Sequence, residues 1–151
     1  ALGRTSPGGV ENFLAHMNRK ARALGMTNSH FADPAGLKKE NVSTAADLAK
    51  MVTAAEEYAL ITEATTTRRK DVYPYKGRGN LTYGNTNRLL KNASWDIELS
   101  KTGYINEAGR CLVMQANIEG EDVSIVLLNS FGKLTPYGDS NRLRKWMLAN
   151  S

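Results

Sequence analysis

Cysteine, histidine and long apolar runs are nearly absent from this chain. One cysteine, Cys111, occurs among 151 residues, so no internal disulfide can form and the redox compartment is not readable from cysteine usage. It stands in Arg110-Cys111-Leu112-Val113-Met114, a strand pattern in which a small buried apolar residue is the expected role. The two histidines, His16 and His30, have no ligand-type neighbours at metal-site spacing, so neither a metal site nor a cofactor is expected. No apolar run approaches the length needed to span a membrane. No signal-peptide pattern opens the chain, and Ala1 onward reads as the interior of a protein. Internal repeats and low-complexity tracts are missing as well.

Acidic charge is in the minority, 15 residues against 20 basic ones, which gives a net charge of +5. A basic balance permits binding to nucleic acid, anionic lipid or an acidic polymer. The more obvious basic residues lie in short, separate groups: Arg19, Lys20 and Arg22; Lys38 and Lys39; Arg68 to Lys70; Arg142, Arg144 and Lys145. None is interleaved with aromatic side chains as in single-strand binders, and none sits in a zinc-finger or RNA-recognition motif. No nucleic-acid partner is expected. Hydrophobic residues at 41% and charged residues at 23% fit one ordinary folded domain.

The pattern predicts helices first and strands later. A helix starts near Ser6-Pro7, carries Val10, Phe13, Leu14, Met17, Ala21 and Leu24 at helical spacing, and stops at Gly25. Residues 26–42 are irregular, with a turn at Asp33-Pro34-Ala35-Gly36. Thr44 and Asp47 form a capping pair for a second helix that buries Leu48, Met51, Val52 and Ala55. Thr65-Thr66-Thr67 and Asp71 to Tyr75 mark a change to extended structure, and Gly77 to Gly84 reads as a polar loop. Ile97 to Ile105, Cys111 to Ile118 and Val123 to Phe131 read as strands joined by tight connections, an antiparallel meander. The last strand is apolar on both faces, as if covered on both sides. A final helix, capped near Asp139 or Ser140, is expected to bury Leu143, Trp146 and Met147.

Lys101-Thr102-Gly103, followed by Tyr104, is the motif that carries chemistry. On a strand, the Lys101 ammonium supplies a fixed positive field and can orient a carboxylate. The Thr102 hydroxyl can donate to a peptide carboxylate. Gly103 lets a substrate backbone approach the strand edge closely. The Tyr104 N–H can point at a developing oxyanion. Such a tripeptide is one of three short motifs of the penicillin-recognising serine enzymes, beside a nucleophilic Ser-x-x-Lys and a Ser-x-Asn.

Along essentially its whole length the chain resembles the low-molecular-mass penicillin-binding proteins, the serine D-alanyl-D-alanine carboxypeptidase and endopeptidase family of bacteria. The resemblance is carried by Pro7 to Phe13, Met17 to Ala21, Leu24 to Phe31, Pro34 to Leu37, Asn41 to Ala49, Lys101 to Gly103 and Ala108 to Val113. It implies an α+β fold, a penicillin-binding-protein/β-lactamase-like transpeptidase fold with a helical cluster (residues 1–66) beside an antiparallel sheet and C-terminal helix (residues 67–151). It implies an acyl-enzyme mechanism on peptidoglycan peptides and cross-links, β-lactam binding, and a periplasmic or cell-envelope location. Thr86, in Asn85-Thr86-Asn87, falls where many carboxypeptidases of the family place a carboxylate-binding arginine. With Ser130-Phe131-Gly132-Lys133, it points to the endopeptidase branch, and Thr86 joins the expected substrate-binding residues.

In that family the Ser-x-x-Lys and Ser-x-Asn motifs precede the segment that opens this chain. The resemblance therefore implies the C-terminal part of a catalytic domain, incomplete at its N-terminal side, whose nucleophile and lysine base lie upstream and whose N-terminal part is its partner. Ser130 and Lys133 form a Ser-x-x-Lys by spacing, but after the Lys-Thr-Gly and without a helical continuation. Tyr83-Gly84-Asn85 and Tyr104-Ile105-Asn106 read as a loop and a turn. Two other readings share some of these features: a class A β-lactamase, whose Glu-x-x-Leu-Asn element is not found here, and a non-catalytic cell-wall binding module.

Overall fold

The computed structural model describes residues 2–74, 77 and 79–150. In chain order the elements are α1 (Leu2–Thr5), α2 (Gly9–Ala23), α3 (Ala45–Glu56), α4 (Ala59–Thr66), β1 (Arg69–Val72), β2 (Leu81–Gly84), a 3-10 turn (Arg88–Lys91), β3 (Asp96–Ile105), β4 (Gly109–Ile118), β5 (Glu121–Ser130) and α5 (Thr135–Leu148).

The helical part departs from the sequence reading at its ends. α2 starts at Gly9, not at Ser6-Pro7. Gly8 and Gly9 have φ of 79° and 73°, left-handed values that a right-handed helix does not pass through. The Gly9 N–H closes a turn on the Ser6 carbonyl at 2.9 Å, and the short α1 precedes it. The helix ends at Ala23, and Gly25, just past the cap residue Leu24, takes a φ of 71° that stops it. The Gly25 N–H bonds the Arg22 carbonyl, the Met26 N–H bonds the Ala21 carbonyl, and Met26 packs on Ala21.

Thr44 caps α3, its hydroxyl oxygen accepting the Asp47 N–H at 3.2 Å. Asp47 does not complete the reciprocal pair. Its buried carboxylate instead accepts the Asn28 N–H at 2.8 Å, the Ser29 hydroxyl at 2.9 Å and the Lys50 ammonium at 3.2 Å. Leu48 and Val52 are buried, with Met51 packed beside them. The chain is extended at Tyr58, where φ is −106° and ψ 96°, and α4 restarts at Ala59. No glycine or proline signals that break. Residues 81–84, read as loop, form β2, an exposed strand paired with β1. Of the predicted extended run from Asp71, Tyr75 lies outside the described residues.

β3, β4 and β5 form an antiparallel sheet with β4 in the middle. Directly paired residues share a face. One face carries Leu112, Met114, Ala116 and Ile118 of β4 with Val123, Ile125 and Leu127 of β5, packed against Leu89, Trp95 and the α5 residues Tyr137, Met147 and Leu148. The other carries Val113 and Val126 against Ala21, Met26 and Leu48. Thus β5 is apolar on both faces because α5 covers one and α3 the other. Leu112 and Met114 are wholly buried, each contributing about 1.5–3 kcal/mol by the usual transfer value.

α5 begins at Thr135, four residues before the expected cap, with Pro136 in its first turn. Its inward stripe holds Pro136, Tyr137, Ser140, Met147 and Leu148, whereas Leu143 and Trp146, expected to be buried, are exposed. The stripe was hidden because it contains a serine. Ser140 is buried with its hydroxyl donating to the Pro136 carbonyl at 2.8 Å, and Asn141 accepts the Trp95 Nε1–H at 2.9 Å.

Candidate active-site strand and cleft

The face that each residue of β3 presents is set by an irregularity in its pairing. Ile97 pairs with Ala116 and Leu99 with Gln115, leaving Glu98 as the extra residue of a bulge. Before the bulge the odd-numbered Ile97 faces α5. After it the even-numbered Ser100, Thr102 and Tyr104 do so, opposite Met114, Leu112 and Arg110. Lys101 and Gly103 are thereby turned to the helical side, opposite Val113 and Cys111. A one-residue slip would exchange the two sets.

β3 is an edge strand of the sheet, and two concavities meet along it. A cleft of about 590 Å³ lies toward α5, lined among others by Thr86, Arg88, Lys101, Thr102, Arg110 and Tyr137. A second groove of about 460 Å³ lies toward the helices, with Phe31, Val42, Leu48, Val113 and Leu128 in its walls. Lys101, Thr102, Gly103 and Tyr104 line both. The five residues expected from sequence, Thr86, Lys101, Thr102, Gly103 and Tyr104, are therefore brought to one cleft.

The α5 wall of this cleft is a hydrogen-bonded layer. The hydroxyls of Thr86 and Thr102 are 2.5 Å apart. The Tyr137 hydroxyl donates to the Thr86 carbonyl at 2.9 Å, fixing that backbone to α5. Behind it the buried Asn87 donates to the Ser100 hydroxyl at 2.7 Å and accepts the Leu89 N–H at 3.0 Å. Asn85 donates to the Thr65 and Thr67 carbonyls. Lys101 is exposed, its ammonium donating to the Thr102 carbonyl. Tyr104 donates its hydroxyl to Asn106 at 2.8 Å, and the Arg110 guanidinium stacks on its ring at 4.4 Å. A Cβ built on Gly103 would meet only the Cys111 Cβ, at 3.9 Å. Packing within the chain does not demand glycine there. Cys111 is half-buried beside it, its thiol donating weakly to the Ala108 carbonyl.

The groove's helical wall is held by half-buried polar groups. Asn18 brackets Phe31, donating to its carbonyl at 2.7 Å and accepting its N–H at 2.9 Å. Asn41 accepts the Ala32 and Asp33 N–H groups. The Asp33 carboxylate gathers the N–H groups of Ala35, Gly36, Leu37 and Lys38. Burial pushes the Asp33 carboxyl up, but these four donors outweigh it and hold the group below its ordinary range. At Asp47 burial is likewise outweighed, by the Ser29 hydroxyl, the Asn28 N–H and Lys50.

Ser130 and Lys133 do not form a nucleophile–base pair. Ser130 is the last residue of β5, and Lys133 lies in the turn before α5, so no helical turn brings them together. Sequence reasoning did not single out Asn87, Tyr137, Arg88, Lys91 or Arg110. Asn87 sits in the conspicuous Asn-Thr-Asn and Arg110 in the family stretch Ala108 to Val113, but the others carry no periodic or motif signal. Among the described residues no group of three or more acidic, histidine or cysteine side chains is arranged to hold a metal ion.

A profile of the D-alanyl-D-alanine carboxypeptidase family matches residues 1–132. The chain belongs to that family. It is 44% identical over 147 residues to a D-alanyl-D-alanine endopeptidase of Pseudomonas aeruginosa, covering 97% of this chain and 47% of the relative. An Escherichia coli D-alanyl-D-alanine endopeptidase is 42% identical with the same coverage. The chain thus spans about half the length of these curated relatives. Among solved structures, a DD-transpeptidase of Streptomyces superposes with a TM-score of 0.83 at 29% identity, over 93% of this chain and 55% of the other. A Listeria monocytogenes penicillin-binding protein, solved in its cefotaxime-bound form, gives 0.76 at 27%, over 90% and 55%. The α+β architecture is that of this peptidase fold.

Proposed function

We propose that this chain is the C-terminal portion of a single catalytic domain, the substrate-binding part of a serine-type D-alanyl-D-alanine endopeptidase or carboxypeptidase. The observation that carries the reading is a Lys-Thr-Gly set on an outer sheet strand with a concavity on each side, in a chain of this family. The endopeptidase relatives and Thr86 in place of an arginine favour cleavage of D-alanyl cross-links in peptidoglycan. β-lactams bind as acylating substrate mimics, and the protein acts in the bacterial periplasm or cell envelope. No helix among the described residues is long and apolar enough to cross a membrane.

The roles follow from position. A substrate peptide lies along the β3 edge, where Gly103 leaves room that the fold itself does not use. The Thr102 hydroxyl, backed by Thr86, donates to the substrate carboxylate. The Tyr104 N–H stabilises the oxyanion as a serine hydroxyl adds to the D-alanyl carbonyl. That serine, with a lysine that takes its proton, lies outside residues 1–151, and the Lys101 ammonium supplies positive field beside it. Collapse of the intermediate expels the amine with a proton, and water then releases the acyl group as a carboxylate. The N-terminal part of the same protein is thus the partner that completes the site.

Labelling with a fluorescent penicillin tests the reading. The protein carrying this chain forms a covalent adduct stable to denaturing electrophoresis, and peptide mapping finds the label outside residues 1–151. Absence of any adduct, with stem peptides still bound, would favour a non-catalytic wall-binding module. A label on Ser130 would overturn the assignment of roles.

A further inference from the structure

Tyr137 reaches the Lys-Thr-Gly strand from α5, and its place follows from how that helix packs. Pro136 and Ser140 are buried, and the Ser140 hydroxyl donates to the Pro136 carbonyl at 2.8 Å, which fixes the first turns of the helix. The Tyr137 ring packs against the cluster that holds Leu112 and Met114. Its hydroxyl is thereby carried to the Thr86 carbonyl, at 2.9 Å. The residues on either side of Thr86 are anchored separately. Asn85 donates to the Thr65 carbonyl at 2.8 Å, and Asn87 to the Ser100 hydroxyl at 2.7 Å. Bonds to α4, β3 and α5 thus hold one exposed threonine. The Thr86 side chain stands in the cleft, its hydroxyl 2.5 Å from that of Thr102.

A bond between two hydroxyls can run either way. When Thr102 donates to Thr86, the Thr102 proton is occupied. When Thr86 donates, the Thr102 oxygen becomes the acceptor and its own proton is free to meet an anion. Bonds in such a chain polarise one another, so this second arrangement makes Thr102 the stronger donor. The phenol on α5 does not choose the direction; it sets whether the Thr86 hydroxyl is within reach. Resting on the function proposed above, we infer that Tyr137 is a positioning residue: by holding the Thr86 carbonyl it presents the Thr86 hydroxyl to Thr102, and so aims the Thr102 proton at the carboxylate of the substrate or β-lactam. It acts through Thr86, not on the reacting bond. Its loss therefore falls on ligands that carry the carboxylate more than on those that lack it.

The test is the second-order rate of acylation of the full protein by a penicillin and by its methyl ester, in which the carboxylate is masked. In the native protein the acid reacts faster than the ester. Tyr137→Phe keeps the packed ring and removes the donor. It lowers the acid-to-ester ratio about tenfold, the scale for weakening one hydrogen bond to a charged group. Thr86→Val, at an exposed position where folding is not at stake, lowers the ratio by as much, and Thr86→Ser restores it. The double variant Tyr137→Phe with Thr86→Val goes no lower than Thr86→Val alone, because the two residues act as one unit. Thermal midpoints accompany each rate, and a merely structural role would slow acid and ester together. Equal rates for acid and ester in the native protein overturn the inference. So does a ratio that Tyr137→Phe or Thr86→Val leaves unchanged, a fall shared by both ligands, or an additive double variant. Any of these in a protein that labels refutes this inference alone; a protein that neither ligand labels refutes the catalytic reading and the inference with it.

Discussion

Asp47 is a single side chain that joins two segments. It ties the loop at Asn28 and Ser29 to α3 and holds Lys50 on the next turn. Because its folded carboxyl titrates below the ordinary value of 3.8, its stabilisation is fully present above that value and is lost as pH falls through the lower folded value. Asp33 adds a contribution of the same sign. Asp47→Asn therefore lowers the thermal midpoint at pH 7, and the deficit narrows in acid; midpoints measured from pH 2 to 7 check this. Glu98 has the opposite sign. Burial first, then Asp122 and Asp96, raise its carboxyl above the ordinary 4.5. Its ionisation opposes folding, so stability falls as pH rises from 4.5 through the folded value. Glu98→Gln should stabilise at pH 7, by no more than about 0.5 kcal/mol as for other surface changes, and be neutral at pH 3. Urea titrations at the two pH values decide it. Asn87→Ala should cost about 1–3 kcal/mol, because the buried Ser100 hydroxyl loses its donor and the Leu89 N–H its acceptor.

Elements whose local chemistry dictates their ends were legible in the sequence. Gly25 stops α2 because only glycine takes φ of 71° without strain, and Gly25→Ala should cost about 1–2 kcal/mol by chemical denaturation although nothing but the Lys50 ammonium, at 3.9 Å, approaches the added methyl. Thr44 caps α3 for an equally local reason. β3 to β5 were legible through alternation and the Glu119-Gly120 connection, where both residues have positive φ. Elements fixed by tertiary contacts were not. The break at Tyr58, the exposed strand β2 and the facing of α5 have no local signature. Trp146 and Leu143 look like core residues by type, yet the stripe that meets the sheet runs through Pro136 and Ser140. The bulge at Glu98 was invisible for the same reason, although it decides on which face Lys101 and Thr102 emerge. The site's motif could thus be read from the chain, while its orientation and the cationic lining around it could not.

At the scale of the molecule, the sheet ends in two open edges, β3 and β5, and large apolar side chains stand exposed near β5 and α5: Leu128, Phe131, Leu143 and Trp146. Open edges and such side chains favour association. The 16.6 kDa chain by itself should sediment as oligomers, and Trp146→Ser together with Leu143→Ser should shift it toward monomer. A monodisperse monomer at tens of micromolar would contradict this. The central claim concerns the other edge, that Lys101 on β3 acts on the acylation step. Its decisive measurement is the second-order rate of labelling by a fluorescent penicillin for the protein carrying this chain, native and Lys101→Ala, alongside the unfolding free energy of each. Loss of one transition-state donor costs on the order of 3 kcal/mol, so the rate should fall about a hundredfold or more. Removing an exposed lysine from a strand should change stability by about 0.5 kcal/mol or less. An unchanged labelling rate, or a loss of rate that merely follows a loss of folding, would contradict the assignment of the β3 edge as the active-site strand.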